Sequence, residues 1–239
     1  MAVRFDASAD YYSRTSGTVV DANSSYTWMA WVRRSGSGFS AIWSASPASG
    51  TEVDYVGWNS SNQFYSYVEA PGGFTEGTGS TLTVDTWYHL CCVRSSTTLL
   101  TGYLDGVSDW TNGRDLSTRA SITRNFIATY NAGSDPANAR VYAIKAWSAA
   151  LSSQEILVER QIIRPMRTNG LVYWNPCFAG SPERARDYSG GGLNWTENGT
   201  LTDEDPPPVS FGSQSIVYPF VPAGAGSGVG WAGRLLVSA

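Results

Sequence analysis

The sequence is short of the residues that carry most enzyme chemistry. Its 239 residues include one histidine (His89), one lysine (Lys145) and three cysteines (Cys91, Cys92 and Cys177). A Ser-His-Asp or Cys-His relay would have to use His89, and no G-x-S-x-G elbow is present. Zinc centres need about four ligands at spacings such as C-x-x-C or H-x-x-x-H, and none occurs. An odd cysteine count with two adjacent members does not suit a disulfide framework and fits synthesis in a reducing cytosol. Charge is also scarce. Only 15% of residues are charged, the net charge is -4, and the arginines are scattered rather than gathered into a stripe that could neutralise phosphates. A nucleic-acid partner is therefore not expected. No apolar run approaches the roughly 20 residues of a membrane span. The N-terminus, MAVRFDASADYY, has no apolar segment of a secretory signal, so the N-x-S/T sequons at Asn23, Asn59, Asn194 and Asn198 carry little meaning. The glycine run GAGSGVG does not lie between a strand and a helix, as a nucleotide loop requires. Neither cofactor nor metal is expected.

Aromatic residues and glycine are what the chain has in quantity, with 10 Trp, 13 Tyr and 25 Gly at 42% hydrophobic content. That mixture favours β structure with many turns around a substantial core. Period-two patterns recur through the first 150 residues. YTWMAWVRR (26–34) is bulky on both faces, as expected of a sheet covered on two sides. VDYVGW and QFYSYV follow, joined through 59–62, and later come NFIATY (125–130) and ARVYAIKAW (139–147). Short strands with this turn spacing predict an all-β antiparallel sandwich. One helix is predicted at 153–163, with Ser152 and Glu155 able to form a capping box and Pro165 ending it. Composition then shifts. Three regions follow: a sandwich over 1–165, a loop-rich segment over 166–208 expected to close the same sandwich, and a Gly/Ala-rich tail or assembly arm over 209–239.

The stretch WYHLCCVRSSTTLLTGYLDG (87–106) holds the histidine and two of the cysteines. As a strand it sends Trp87, His89, Cys91 and Val93 one way and Tyr88, Leu90, Cys92 and Arg94 the other. Adjacent cysteines on opposite faces cannot share one metal, so the stretch reads as a framework hairpin, with SSTT as its turn and Asp105-Gly106 as the next tight turn. A glycosidase built on two carboxylates needs no histidine. Sugar hydrolases on such sandwiches carry E-x-D-x-x-E, and Glu52-Val53-Asp54 begins it, but position 57 is glycine. No catalytic residue is assigned. Trp58, Tyr65, Trp110 and Trp195 lie near predicted loops or strand ends, where an aromatic ring could stack on a sugar. Each is better explained as core or interface, and no ligand-binding residue is fixed.

In order, FDASADYYSR, YTWMAWVRR, WYHLCCVRSSTTLLTGYLDGV and ARVYAIKAWSAALSSQEI resemble the laminin-G-like, concanavalin A-like jelly-roll modules, over about residues 4–160. The resemblance implies a jelly-roll β-sandwich with one short helix and a C-terminal extension, in which the W-Y-H strand is framework. GLVYWNPCFAGSPERARDYSGGGLNWTENGT is similar to an element that often opens such modules, here placed late, where it would either close the sandwich or be the stub of a repeat; with few residues left for a second domain, closure is expected. The pentraxin-like signature H-x-C-x-[ST]-W begins at His89 and fails at Cys92-Val93-Arg94, so no calcium ligands are carried over.

The resemblance is strongest to stand-alone prokaryotic and phage-type members. It implies a non-enzymatic assembly protein on a virion surface, decorating a capsid or associated with a tail, made in the host cytoplasm. Its partners would be further copies of itself or a major capsid protein. The alternative is a carbohydrate-binding, lectin-like adhesion module that meets surface glycans.

Overall fold

In a computed structural model the described residues are 1–15, 19–20, 24–50, 53–70, 73–113, 121–130 and 136–208. They form fifteen strands and one α-helix: β1 Ala2–Phe5, β2 Tyr11–Arg14, β3 Tyr26–Arg34, β4 Ser40–Ser46, β5 Asp54–Trp58, β6 Gln63–Ala70, β7 Gly73–Thr81, β8 Trp87–Ser96, β9 Leu99–Leu104, β10 Val107–Gly113, β11 Arg124–Ile127, β12 Ala139–Trp147, α1 Ser153–Arg160, β13 Leu171–Asn175, β14 Thr196–Asn198 and β15 Thr202–Glu204. Two antiparallel sheets face each other as a jelly-roll sandwich. One runs β10-β9-β8-β3-β12-β1-β15, with β13 also on β12, and the other runs β14-β2-β11-β4-β5-β6-β7. Among the described residues no helix is long and apolar enough to cross a membrane.

The two sheets share one large core containing Trp28, Val32, Trp43, Val56, Trp58, Phe64 and Val68. They meet at one side where Trp110 of β10 lies against Gly77 and Gly79 of β7 and Gly102 of β9. A Cβ on Gly77 or Gly102 would come within 2.3 or 2.1 Å of the indole. Asp109 accepts from Ser80 N (2.7 Å) and Ser80 Oγ (2.5 Å) across the same seam, occupying an edge amide of β7.

The outer faces of the sheets differ. α1 covers that of the first sheet, where Met29, Cys91, Val93, Trp147, Leu151 and Ile156 form a separate buried cluster. The capping box at Ser152 and Glu155 forms as expected. The helix stops at Arg160 instead of 163, because buried Lys145 takes the carbonyls of Glu159 (2.8 Å) and Ile162 (2.7 Å) and turns the chain out of the helix. The expected hairpin is also present. Its turn is Thr97-Thr98 alone, with Ser95 and Ser96 still in β8, and Asp105-Gly106 has the positive φ values (52° and 85°) of a tight hairpin turn.

Segment 166–208 adds strands to both sheets. β13 pairs with β12, β15 with β1, and β14 with β2. The expected tail, 209–239, lies outside the described residues, as does Glu52.

Candidate functional site

No helix covers the outer face of the second sheet among the described residues, and a band of aromatic rings stands there. Its origin is the strand alternation. In β5, Val56 and Trp58 enter the core, so Tyr55 and Gly57 face outward; in β6, Phe64, Ser66 and Val68 turn inward and Tyr65, Tyr67 and Glu69 outward. Pairing across the strands aligns these positions into rows. Ser44, Tyr55, Tyr67 and Glu76 are successive partners on β4, β5, β6 and β7, and Phe126 and Ser13 continue the row on β11 and β2. A neighbouring row holds Ala41, Gly57, Tyr65 and Thr78, and a third pairs Glu69 with Phe74.

The rings contact one another closely. Tyr55 and Tyr67 stack with centroids 5.2 Å apart and planes 12° from parallel, and Tyr67 and Phe74 stack at 5.2 Å and 22°. At van der Waals thickness, that spacing offsets each ring laterally by roughly 3–4 Å; Tyr55 and Tyr65 are nevertheless buried, Tyr67 is half-buried, and the exposed end of the band is Phe74. Phe39 and Tyr130 meet Tyr55 edge-on at 5.0 and 5.4 Å. Ser44 Oγ, between the carbonyls of Thr129 (2.9 Å) and Tyr130 (2.6 Å), fixes the backbone that carries Tyr130. Phe74 is 55% exposed.

A polar contact underlies the rings. Tyr65, whose ring lies 5.7 Å from that of Tyr55, donates through Oη to Glu76 Oε1. Burial is the main reason why the phenols of Tyr55, Tyr65 and Tyr67 titrate above their ordinary range. Neighbouring phenols and the carboxylates of Glu76 and Glu69 add to it. The hydroxyls therefore remain neutral donors and acceptors. Apolar ring surface, phenol groups and two carboxylates suit a ligand with C–H faces and many hydroxyls.

The residues singled out from the sequence divide accordingly. Tyr65 belongs to the band. Trp58, Trp110 and Trp195 sit in the large core and do not face solvent as stacking platforms. Asp54 is inward and 1% exposed while Gly57 faces outward, so the partial acid pattern does not line one cleft. Cys91 and Cys92 point to opposite faces, one in the helix-side cluster and one in the main core, and burial pushes both thiols up. Cys177 is buried as well, its thiol pushed up to about 12. His89 is enclosed beside Trp31 at 5.4 Å. Among the described residues no three His, Cys, Asp or Glu side chains come together as metal ligands. Tyr55, Tyr67 and Phe74 escaped the sequence reading. The available signal was the outward phase of β5 and β6, which becomes readable only once Val56 and Phe64 are known to point inward.

Known structures share this architecture. A candidate carbohydrate-binding protein from Bacteroides ovatus ATCC 8483 superposes with a TM-score of 0.61 at 17% identity, over 88% of this chain and 61% of that one. The heptameric SAP-like pentraxin of Limulus polyphemus gives 0.57 at 10% identity, over 84% of this chain and 92% of that one. At such identities the likeness is one of fold, and the chain spans about three fifths of the Bacteroides protein's length. No curated protein matches. The family model for the concanavalin A-like lectin/glucanases superfamily, a laminin G type, matches residues 6–157, and with its two-sheet jelly roll the chain belongs to that superfamily.

Proposed function

We propose that the chain is a non-catalytic carbohydrate-binding module whose site is the aromatic band on the outer face of β4–β7. The observation that carries this reading is the offset stack Tyr55–Tyr67–Phe74, which runs from buried Tyr55 to Phe74 at 55% exposure. Exposed Phe74 and half-buried Tyr67 form an accessible aromatic edge of the kind that a partner covers. These two rings beside phenol and carboxylate oxygens match the alternating apolar and polar surface of a pyranose. The fold-level likeness to a candidate carbohydrate-binding protein supports the same direction. The virion-assembly role expected first from the sequence leans on residues 209–239, outside the described residues, and the family model and the structural neighbours favour its alternative, carbohydrate binding.

Isothermal titration against a panel of oligosaccharides tests the proposal. Tyr67→Ala and Phe74→Ala should each weaken binding by about 1–2 kcal/mol, roughly five- to thirtyfold, whereas Met166→Ala, at an exposed position outside the band, should leave it unchanged. Equal affinity in all three variants would remove the band as the site. The same mixtures, followed by mass spectrometry, should show intact sugars; shorter products would instead point to a hydrolase using Glu69 and Glu76.

A further inference from the structure

The charge around the band narrows the ligand class, on the premise that the band binds saccharide. Strands β4 to β7 contain no lysine, arginine or histidine. Two carboxylates stand on their outer face. Glu76 is the direct partner of Tyr67, and Glu69, two residues beyond Tyr67 on the same face, is the partner of Phe74. The Glu69 carboxylate has no hydrogen-bond or ion-pair partner among the described residues, so its charge is open to a ligand. Both acids act on the same ring, since after burial Glu69, Tyr130 and Glu76 hold the Tyr67 phenol above its ordinary range. The cation described on this face is Arg124 on β11, lying 5.5 Å over Phe126. Three strand spacings separate β11 from β6, about 14 Å, beyond a Debye length at physiological salt.

We infer that the band selects saccharides by charge, taking amine-bearing sugars in preference to neutral ones and rejecting acidic ones. Aromatic faces are electron-rich and attract an ammonium group, and a nearby carboxylate strengthens that attraction. A uronic or sialic carboxylate would meet Glu69 and Glu76 with no compensating cation on these strands, and like charges in a partly desolvated site repel.

Three probes of comparable length test this with the full chain: a glucosamine hexamer, its N-acetylated counterpart and an oligogalacturonate. The pH is one at which glucosamine amines are protonated. Titration calorimetry at about 20 mM and about 0.5 M salt should rank the amine form about two- to fivefold tighter than the neutral one, with the acidic one undetectable and the preference shrinking in salt. Glu69→Gln should abolish the preference, bringing the ratio of the amine-form to the neutral-form affinity to about one. Acidic binding equal to or tighter than neutral, or a preference untouched by Glu69→Gln, overturns the inference alone. If the neutral hexamer binds and no ranking by charge appears, the inference falls and the carbohydrate-binding reading stands. Absence of binding by all three overturns the inference, and the carbohydrate-binding reading is then decided by the oligosaccharide panel.

Discussion

His89 shows how one buried side chain sets a pH dependence without taking part in chemistry. It lies between the first sheet and α1, with its ring edge-on to Trp31. Burial first, then the cations of Lys145 and Arg160, hold its imidazole well below the ordinary value of 6.5. The unfolded chain therefore takes up a proton near pH 6.5 that the native protein refuses. This contribution is neutral above that pH, and stability falls as the pH drops through the interval between 6.5 and the depressed native value. Urea midpoints should decline as the pH is lowered from about 8 to about 5.5, and His89→Gln should flatten that decline. An identical slope in the variant would assign the dependence to other groups. Strand alternation alone foretold that His89 would be framework and that Cys91 and Cys92 would face apart. It did not foretell the cations beside the imidazole, because Lys145 and Arg160 come from β12 and α1, more than fifty residues along the chain.

At the scale of elements, α1 is held by a polar anchor beneath its apolar contacts. Lys145 Nζ binds the Glu159 carboxylate at 2.8 Å, and Glu159 Oε1 accepts from Met166 N (2.8 Å) and Arg167 N (2.9 Å), so one buried carboxylate ties the helix, β12 and the following turn together. Both side chains are 2% exposed or less. Removing one member of such a pair strands the other charge in the interior, so Lys145→Ala should cost about 3–5 kcal/mol, read from the denaturant midpoint at constant slope. A loss under about 1 kcal/mol would mean that water or a neighbouring group replaces the ammonium. The helix itself was legible from Ser152 and Glu155, whereas its early end was not, since Lys145 is remote from it in sequence. Strand β7 is the converse case. GFTEGTGST has little strand propensity, and its glycines make sense only against Trp110 of β10, a neighbour that folding supplies. The aromatic band was hidden for a related reason. β5 and β6 are bulky on both faces, so hydrophobicity does not separate the rings that fill the core from those that leave it.

For the molecule as a whole, the family match ends at residue 157, yet the sandwich continues to Glu204. β14 extends one sheet, β13 and β15 the other, and Tyr173, Cys177, Ala185, Trp195 and Leu201 join the central core. Large apolar side chains contribute roughly 1.5–3 kcal/mol each when fully buried, so losing this group removes an amount comparable with the roughly 5–15 kcal/mol that stabilises a whole domain. Truncation would also uncover the edges of β1 and β2 and half of one edge of β12, leaving ladder groups unpaired. The fragment 1–165 is therefore expected not to fold alone, although it contains the entire family match and every strand of the aromatic band. Dispersed amide resonances and a cooperative urea transition in that fragment, matching those of the full chain, would make 166–208 an appendage. Collapsed resonances and a featureless near-ultraviolet dichroism spectrum would make it part of the folding unit, and the band would then depend on strands that never touch it.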